Sequence, residues 1–185
     1  MRTVDFLFEI GMLKDMPRTG WLTIGITEPE SIAEHSFRTA VIGMVLAKLE
    51  HADEKRVLKM CLFHDLEETR LGDLHKINKI YLKPRKNAYV DILGGLPFRK
   101  ELTELLDEFK EGKTNDSQVA RDADKLEMIL QAKEYLDVGN SYVKEWITSG
   151  MAKLKTKSAK KLSKRIINGD SRRWLFEIKN SKSPC

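Results

Sequence analysis

The chain has 185 residues, 41% hydrophobic and 33% charged, which excludes a disordered chain and is long enough for one real core. No apolar run reaches the roughly 18 residues of a membrane span, and two cysteines are too few for a disulfide framework. The formal net charge of +5 is unevenly spread: residues 151–185 hold 11 Lys/Arg against 2 Asp/Glu, and residues 1–150 hold 22 against 26.

The predicted elements are helices nearly throughout, in a single domain over 1–185. Thr3 can cap a first helix in which Phe6, Leu7, Ile10 and Leu13 recur at helical spacing. Its first residues carry an acid at Asp5 and lack a long apolar region, so no signal peptide is expected. Residues 17–29, with Pro17, Gly20, Gly25 and Pro29, read as a loop. Ser31 with Glu34 three residues on is a capping box that opens a second helix to about Glu50. Asp53 starts a third helix to about Glu68, broken by Gly72. Residues 72–96 read as irregular, with Pro84, Gly94 and Gly95. Pro97 opens a further helix to about Gly112. Asn115 or Asp116 caps a long helix to about Val138, and two or three shorter basic helices over 141–180 finish the chain. In the last of these regions Leu154, Leu162 and Ile166 form an apolar stripe among the lysines. That pattern reads as a solvated helix face, with nucleic-acid binding as the less favoured reading. Met12, Met16, Met44, Met60 and Met128 read as core filler.

The chemistry gathers around the histidines. Ala33-Glu34-His35-Ser36 lies on the second helix and Phe63-His64-Asp65-Leu66-Glu67-Glu68 on the third. A short turn at His51-Ala52 makes these two helices antiparallel. His35 is about 16 residues before that turn and His64 about 12 after it, which brings both rings within roughly one helical turn of the same level. An ionised Asp65 between Leu62, Phe63 and Leu66 would be costly without a counter-charge, and a metal supplies one. The long helix offers Asp122 and Asp124 as the last carboxylate. Two imidazoles and two carboxylates suit one divalent ion and leave positions for water or substrate. The donor set does not choose among Mn, Co, Fe, Ni, Zn and Mg. Glu68 shares the face of His64 at i+4, Asp73 follows Gly72 at the helix end, and Arg18 can hold a phosphate with paired N–H donors. His75 is close enough in sequence to approach the site, whereas His51 reads as solvated.

The ordered series Pro17-Arg18-Thr19-Gly20-Trp21, Pro29 to Ser36, His64 to Glu68, Gly72-Asp73 and Asp122 to Ala132 resembles the metal-dependent HD-domain phosphohydrolases. Within them it is similar to the 5'-deoxynucleotidase family (bacterial YfbR-like proteins and eukaryotic HD-domain-containing protein 2), over residues 1 to about 140. The resemblance implies an all-α HD-domain helical bundle, with a metal-site core at about 31–138. It implies hydrolysis of deoxyribonucleoside 5'-monophosphates with one divalent metal, in a homodimer. It implies His35, His64, Asp65 and Asp124 as ligands, favouring Asp124 over Asp122. Glu68 and Asp73 are implied as catalytic groups, and Arg18 and Trp21 as substrate contacts. Arg18 and Trp21 are separated here by Thr19-Gly20, whereas the bacterial members have the two residues adjacent. Another HD phosphohydrolase activity, on nucleoside triphosphates or cyclic nucleotides, and a non-catalytic metal-binding regulator are the alternatives. The expected setting is the cytoplasm. The expected dimer surfaces are residues 1–16 and the segments after Val138, with Trp146, Trp174, Leu175 and Phe176.

Overall fold

A computed structural model of the protein describes residues 2–82 and 87–180, with only the backbone of Lys179 and Asn180. Pro84, noted above, and Cys185, one of the two cysteines, lie outside the described residues. Twelve α-helices are formed among the described residues. They are α1 (Arg2–Gly11), α2 (Thr19–Leu22), α3 (Ile32–Leu49), α4 (Glu54–Phe63), α5 (Glu68–Leu71) and α6 (Lys76–Tyr81). They continue with α7 (Ala88–Ile92), α8 (Arg99–Glu111), α9 (Asn115–Asp137), α10 (Lys144–Lys153), α11 (Lys157–Asn168) and α12 (Arg173–Asn180). There is no strand among the described residues, only an isolated antiparallel bridge between Pro17 and Ser31. The all-α expectation therefore holds.

The local chemistry explains the starts and stops. Ser31 and Glu34 form the complete capping box at the start of α3. Asp53 accepts the backbone N–H groups of Lys55 and Arg56 and opens α4. The cap of α9 is Thr114, which accepts the Ser117 N–H, not Asn115 or Asp116 as expected. α1 already begins at Arg2, so Thr3 is inside the helix and does not cap it. α8 begins at Arg99, after a turn that contains Pro97. Residues 17–29 and 72–96 were expected to be irregular. They contain α2 in the first case, and α6 and α7 in the second.

The main core lies between α3, α4, α8 and α9. Gly43 lets α3 approach α4 closely: a Cβ there would lie 2.6 Å from the Cys61 sulfur. Against this seam pack Leu46, Val57, Met60, Leu105, Leu106, Leu126 and Ile129, all buried. Leu154 is buried, and Leu162 and Ile166 pack against the same core. The basic residues between them are thus one face of helices whose other face is covered, as the solvated-face reading expects. Met60 is buried, but Met12 and Met44 are exposed and are not core filler. A second cluster joins α2, α9 and α10 through Trp21, Ala132 and Ile147. This second cluster forms one wall of the site.

Candidate metal centre and catalytic cavity

α4 does not run on to Glu68. It ends at Phe63, and a tight turn over 64–67, with Leu66 N–H bonded to the Phe63 carbonyl and Glu68 N–H to the Asp65 carbonyl, leads into α5. The i+4 argument for Glu68 therefore fails. Both His64 and Glu68 still reach the site, because the turn rotates the backbone between them.

Four side chains converge across three helices. His35 Nε2 lies 3.2 Å from His64 Nε2. Asp124 Oδ1 is 3.3 Å from His35 Nε2 and 3.7 Å from His64 Nε2. Asp65 Oδ2 is 3.1 Å from His64 Nε2 and 3.7 Å from His35 Nε2. Ligand bonds of about 2.0–2.2 Å put neighbouring donors roughly 3–3.6 Å apart; His35, His64 and Asp124 offer donor atoms all within 4.8 Å of one another, and Asp65 lies beside both histidines. Asp122, the alternative on α9, is turned away. It is buried and accepts the backbone N–H groups of Lys155 and Thr156 at the start of α11.

The far sides of the rings fix their protonation. His64 Nδ1 donates to the Cys61 carbonyl at 2.8 Å, and His35 Nδ1 meets Glu127 Oε2 at 2.5 Å. A carbonyl can only accept, so a neutral His64 has its lone pair on Nε2. The carboxylate of Glu127 imposes the same tautomer on His35. With both rings neutral, two lone pairs and two carboxylates face one another, an arrangement that suits a cation. Burial opposes charge on both rings, yet Asp124 and Glu127 beside His35, and Asp65 and Asp124 beside His64, raise both pKa values. The donor set thus fits a divalent ion, which takes the place of those protons.

Glu127 was not singled out in the sequence. Its signal is its spacing, one turn on from Asp124 on the same face of α9. Arg38 bonds it in turn at 2.9 Å, and also reaches Gln131 and Glu134. Glu30, His35 and Glu127 form a second acidic grouping, but Arg38 lies against both of its carboxylates. This grouping is an internal ion network.

A cavity of about 430 Å³ opens beside Asp65 and Asp124. The bridge at Pro17, reinforced by Arg18 N–H to the Glu30 carbonyl at 2.9 Å, carries Arg18 to its mouth. There Arg18 Nη1 meets Asp65 Oδ2 at 3.1 Å. Burial opposes its charge, but Asp65, Asp124, Asp73 and Glu68 outweigh that and hold it firmly protonated. Glu68 is buried in the cavity wall, and its Oε2 has no partner. Burial, then the charges of Asp65 and Asp73, pushes Glu68 up to about 9. Asp73 also lines the cavity, and its Oδ2 accepts the Thr19 N–H at 2.6 Å, tying the start of α2 to the end of α5. Trp21 is almost wholly buried. It stacks on Trp146 with centroids 4.6 Å apart, and its Nε1 donates to Glu30 at 3.1 Å. It reaches the cavity wall as a packed residue of α2, not as a free loop aromatic. His75 lines the cavity too, ahead of α6, while His51 is exposed at the α3–α4 turn.

The fold and the convergent donors define a class, and comparison with known proteins agrees with it. The HD-domain family profile matches residues 10–166. The chain belongs to the HD-domain family. Within that family it groups with proteins named 5'-deoxynucleotidase HDDC2. It is 38% identical over 145 residues to the one from Dictyostelium discoideum, covering 71% of this chain and 76% of that protein. It is 35% identical over 141 residues to the human one, covering 73% and 69%. A solved structure of a conserved hypothetical protein from Pyrococcus furiosus superposes with a TM-score of 0.75 at 33% identity, covering 92% of this chain and 99% of that one.

Proposed function

We propose that this chain is a metal-dependent 5'-deoxynucleotidase, hydrolysing deoxyribonucleoside 5'-monophosphates to deoxyribonucleosides and phosphate. The observation that carries the reading is the meeting of His35, His64, Asp65 and Asp124 at the mouth of a cavity that also holds Arg18 and Glu68. The names of the relatives support the substrate class. His35, His64, Asp65 and Asp124 would hold one divalent ion, which would supply Lewis acidity, lower the pKa of water and offset phosphoryl charge. Its identity, among Mn, Co, Fe, Ni, Zn and Mg, is left to experiment.

The chain's own groups do the rest. Arg18 turns its N–H donors to the phosphate oxygens and neutralises their charge. Glu68 takes the proton from the attacking water. Burial and then the charges of Asp65 and Asp73 raise Glu68, and a cation held beside Asp65 would cancel the repulsive part and favour the ionised form. The new P–O bond forms from water while the bond from phosphorus to the 5'-oxygen breaks. Asp73, held by Thr19, orients the water or returns a proton to the leaving oxygen. Trp21 forms the wall beside the sugar.

We further propose that residues 1–185 act as one domain and that two copies associate. Exposed Phe37, Val41, Met44, Val45 and Leu49 lie at helical spacing on one face of α3 and support a self-association surface. No helix among the described residues is long and apolar enough to cross a membrane. A cytoplasmic setting suits the free thiol of Cys61. Phosphate release from deoxyribonucleotides, ribonucleotides, triphosphates and cyclic nucleotides, each with several divalent metals, tests the activity. Preferential release from deoxyribonucleoside monophosphates is the expected result, and a preference for triphosphates or cyclic nucleotides overturns the reading.

A further inference from the structure

The cavity is lined by two chemically different sets of residues. One is Arg18, Asp65, Glu68 and Asp124, the anion-handling and metal-handling groups. The other is built mainly by α10 and α6, which supply Trp146, Ser149, Lys76 and Ile77, with Met128 from α9. None of these five residues touches the phosphate chemistry described above.

Trp146 is held there by construction. One face is stacked on Trp21 at an interplanar angle of 25°. The rim of its ring rests on Gly20, where a Cβ would come within 2.7 Å of the ring. Any other residue at position 20 would push the indole out of its seat. Trp21 is nearly fully buried, between Trp146 and the edge of Tyr135, and offers no face. Trp146 is only half-buried and lines the cavity. The Lys76 ammonium stands over its ring, 6.0 Å from the centroid, so a base that stacks on the face not taken by Trp21 moves that cation to its own edge. An aromatic plane, a cation and a hydroxyl in a cavity that also takes a phosphate are what a nucleobase needs. Stacking serves every base, since each has a π-face.

We propose that Trp146 is the platform on which the substrate's nucleobase stacks, with Ser149 and Lys76 beside it. Trp146 then sets the preference for a nucleotide over a base-free sugar phosphate. The proposal rests on the phosphomonoesterase reading above. Because stacking is sequence-tolerant, it implies acceptance of several bases, with purines favoured by their larger overlap.

The test compares deoxyadenosine 5'-monophosphate with 2-deoxyribose 5-phosphate, which has the same phosphate and no base. The ratio of their kcat/KM values is the readout. Trp146→Leu should lower that ratio roughly 10-fold, the worth of one base–aromatic stack. Trp146→Phe should keep most of it. An equal fall for both substrates, leaving the ratio unmoved, makes Trp146 a packing residue and overturns the proposal. Should Trp146→Leu not fold, Ser149→Phe fills the same part of the cavity. It should lower the ratio likewise, and an unchanged ratio in that variant overturns the proposal. Calorimetric binding of the two ligands to the same variants separates this inference from its parent. An inactive protein that still binds the nucleotide in preference, dependent on Trp146, refutes the hydrolase reading alone. One that shows no such preference refutes the nucleobase seat.

Discussion

At the residue scale the site is a problem of charge. Two imidazoles and two carboxylates face each other, both rings are held above their ordinary pKa by those acids, and in the proposed holoenzyme each side chain supplies one bond to the cation that takes the protons' place. His64→Ala and Asp65→Ala should therefore each lose most bound metal by elemental analysis, and with it phosphate release. Full metal occupancy in either variant removes that residue from the ligand set. Glu68→Gln differs in kind. The amide keeps the shape of the carboxyl but cannot take a proton. Metal should stay bound while turnover falls by roughly 10²–10⁴, the usual worth of a general acid–base group. Metal lost together with activity would make Glu68 a ligand instead. The meeting of His35 with His64 and Asp65 was legible in sequence because a histidine and an aspartate side by side in an apolar stretch are costly to bury unless a cation meets them. Glu127 was not, since an acid in a charged helix looks like a solvated one until His35 is seen against it.

At the element scale the site depends on how closely three helices approach. α3 meets α4 at Gly43, where the Cys61 sulfur and Val57 fill the space a side chain would need. In an isolated helix, alanine in place of glycine would stabilise by about 1 kcal/mol. Here the clash decides the sign. Gly43→Ala should cost about 1–3 kcal/mol net through overpacking, read as a lowered Tm in thermal melts. A raised Tm would show that the seam can open at little cost. The capping box at Ser31 and the long span of α9 could both be read from sequence, because caps and apolar spacing are local. The end of α4 at Phe63 could not. The turn that replaces its last helical residues is set by where His64 and Asp65 must point, and that depends on α3 and α9.

At the scale of the whole molecule, the apolar surface left exposed is the expected one at both ends of the chain, with one residue withdrawn and one stripe added. Trp146 stacks within its own bundle and is not available to a second copy. Trp174, Leu175 and Phe176 on α12 are exposed, as are Val4, Leu7 and Phe8 on α1. The outward face of α3 adds a stripe that no pattern in the sequence marks as a surface. Light scattering at micromolar concentration should give twice the 21.3 kDa chain mass. Val41→Glu with Val45→Glu, each placing a charge in that stripe, should return the mass to that of one chain. A wild-type mass of one chain rejects the dimer, and an unchanged dimer in the double variant moves the interface to α1 or α12.

The sequence by itself determined the helical class, the caps at Ser31 and Asp53, and the residue types able to hold a metal, because these follow from short-range periodicity and from the cost of burying charge. Only the tertiary structure decided that Asp124 is the acid on α9 that faces His35 and His64, and that Asp122 ties down α11. It alone put Trp146 beside Trp21, 125 positions earlier in the chain. Such pairings depend on how helices distant in sequence cross, and the crossing is fixed by packing over the whole core, which no local pattern records.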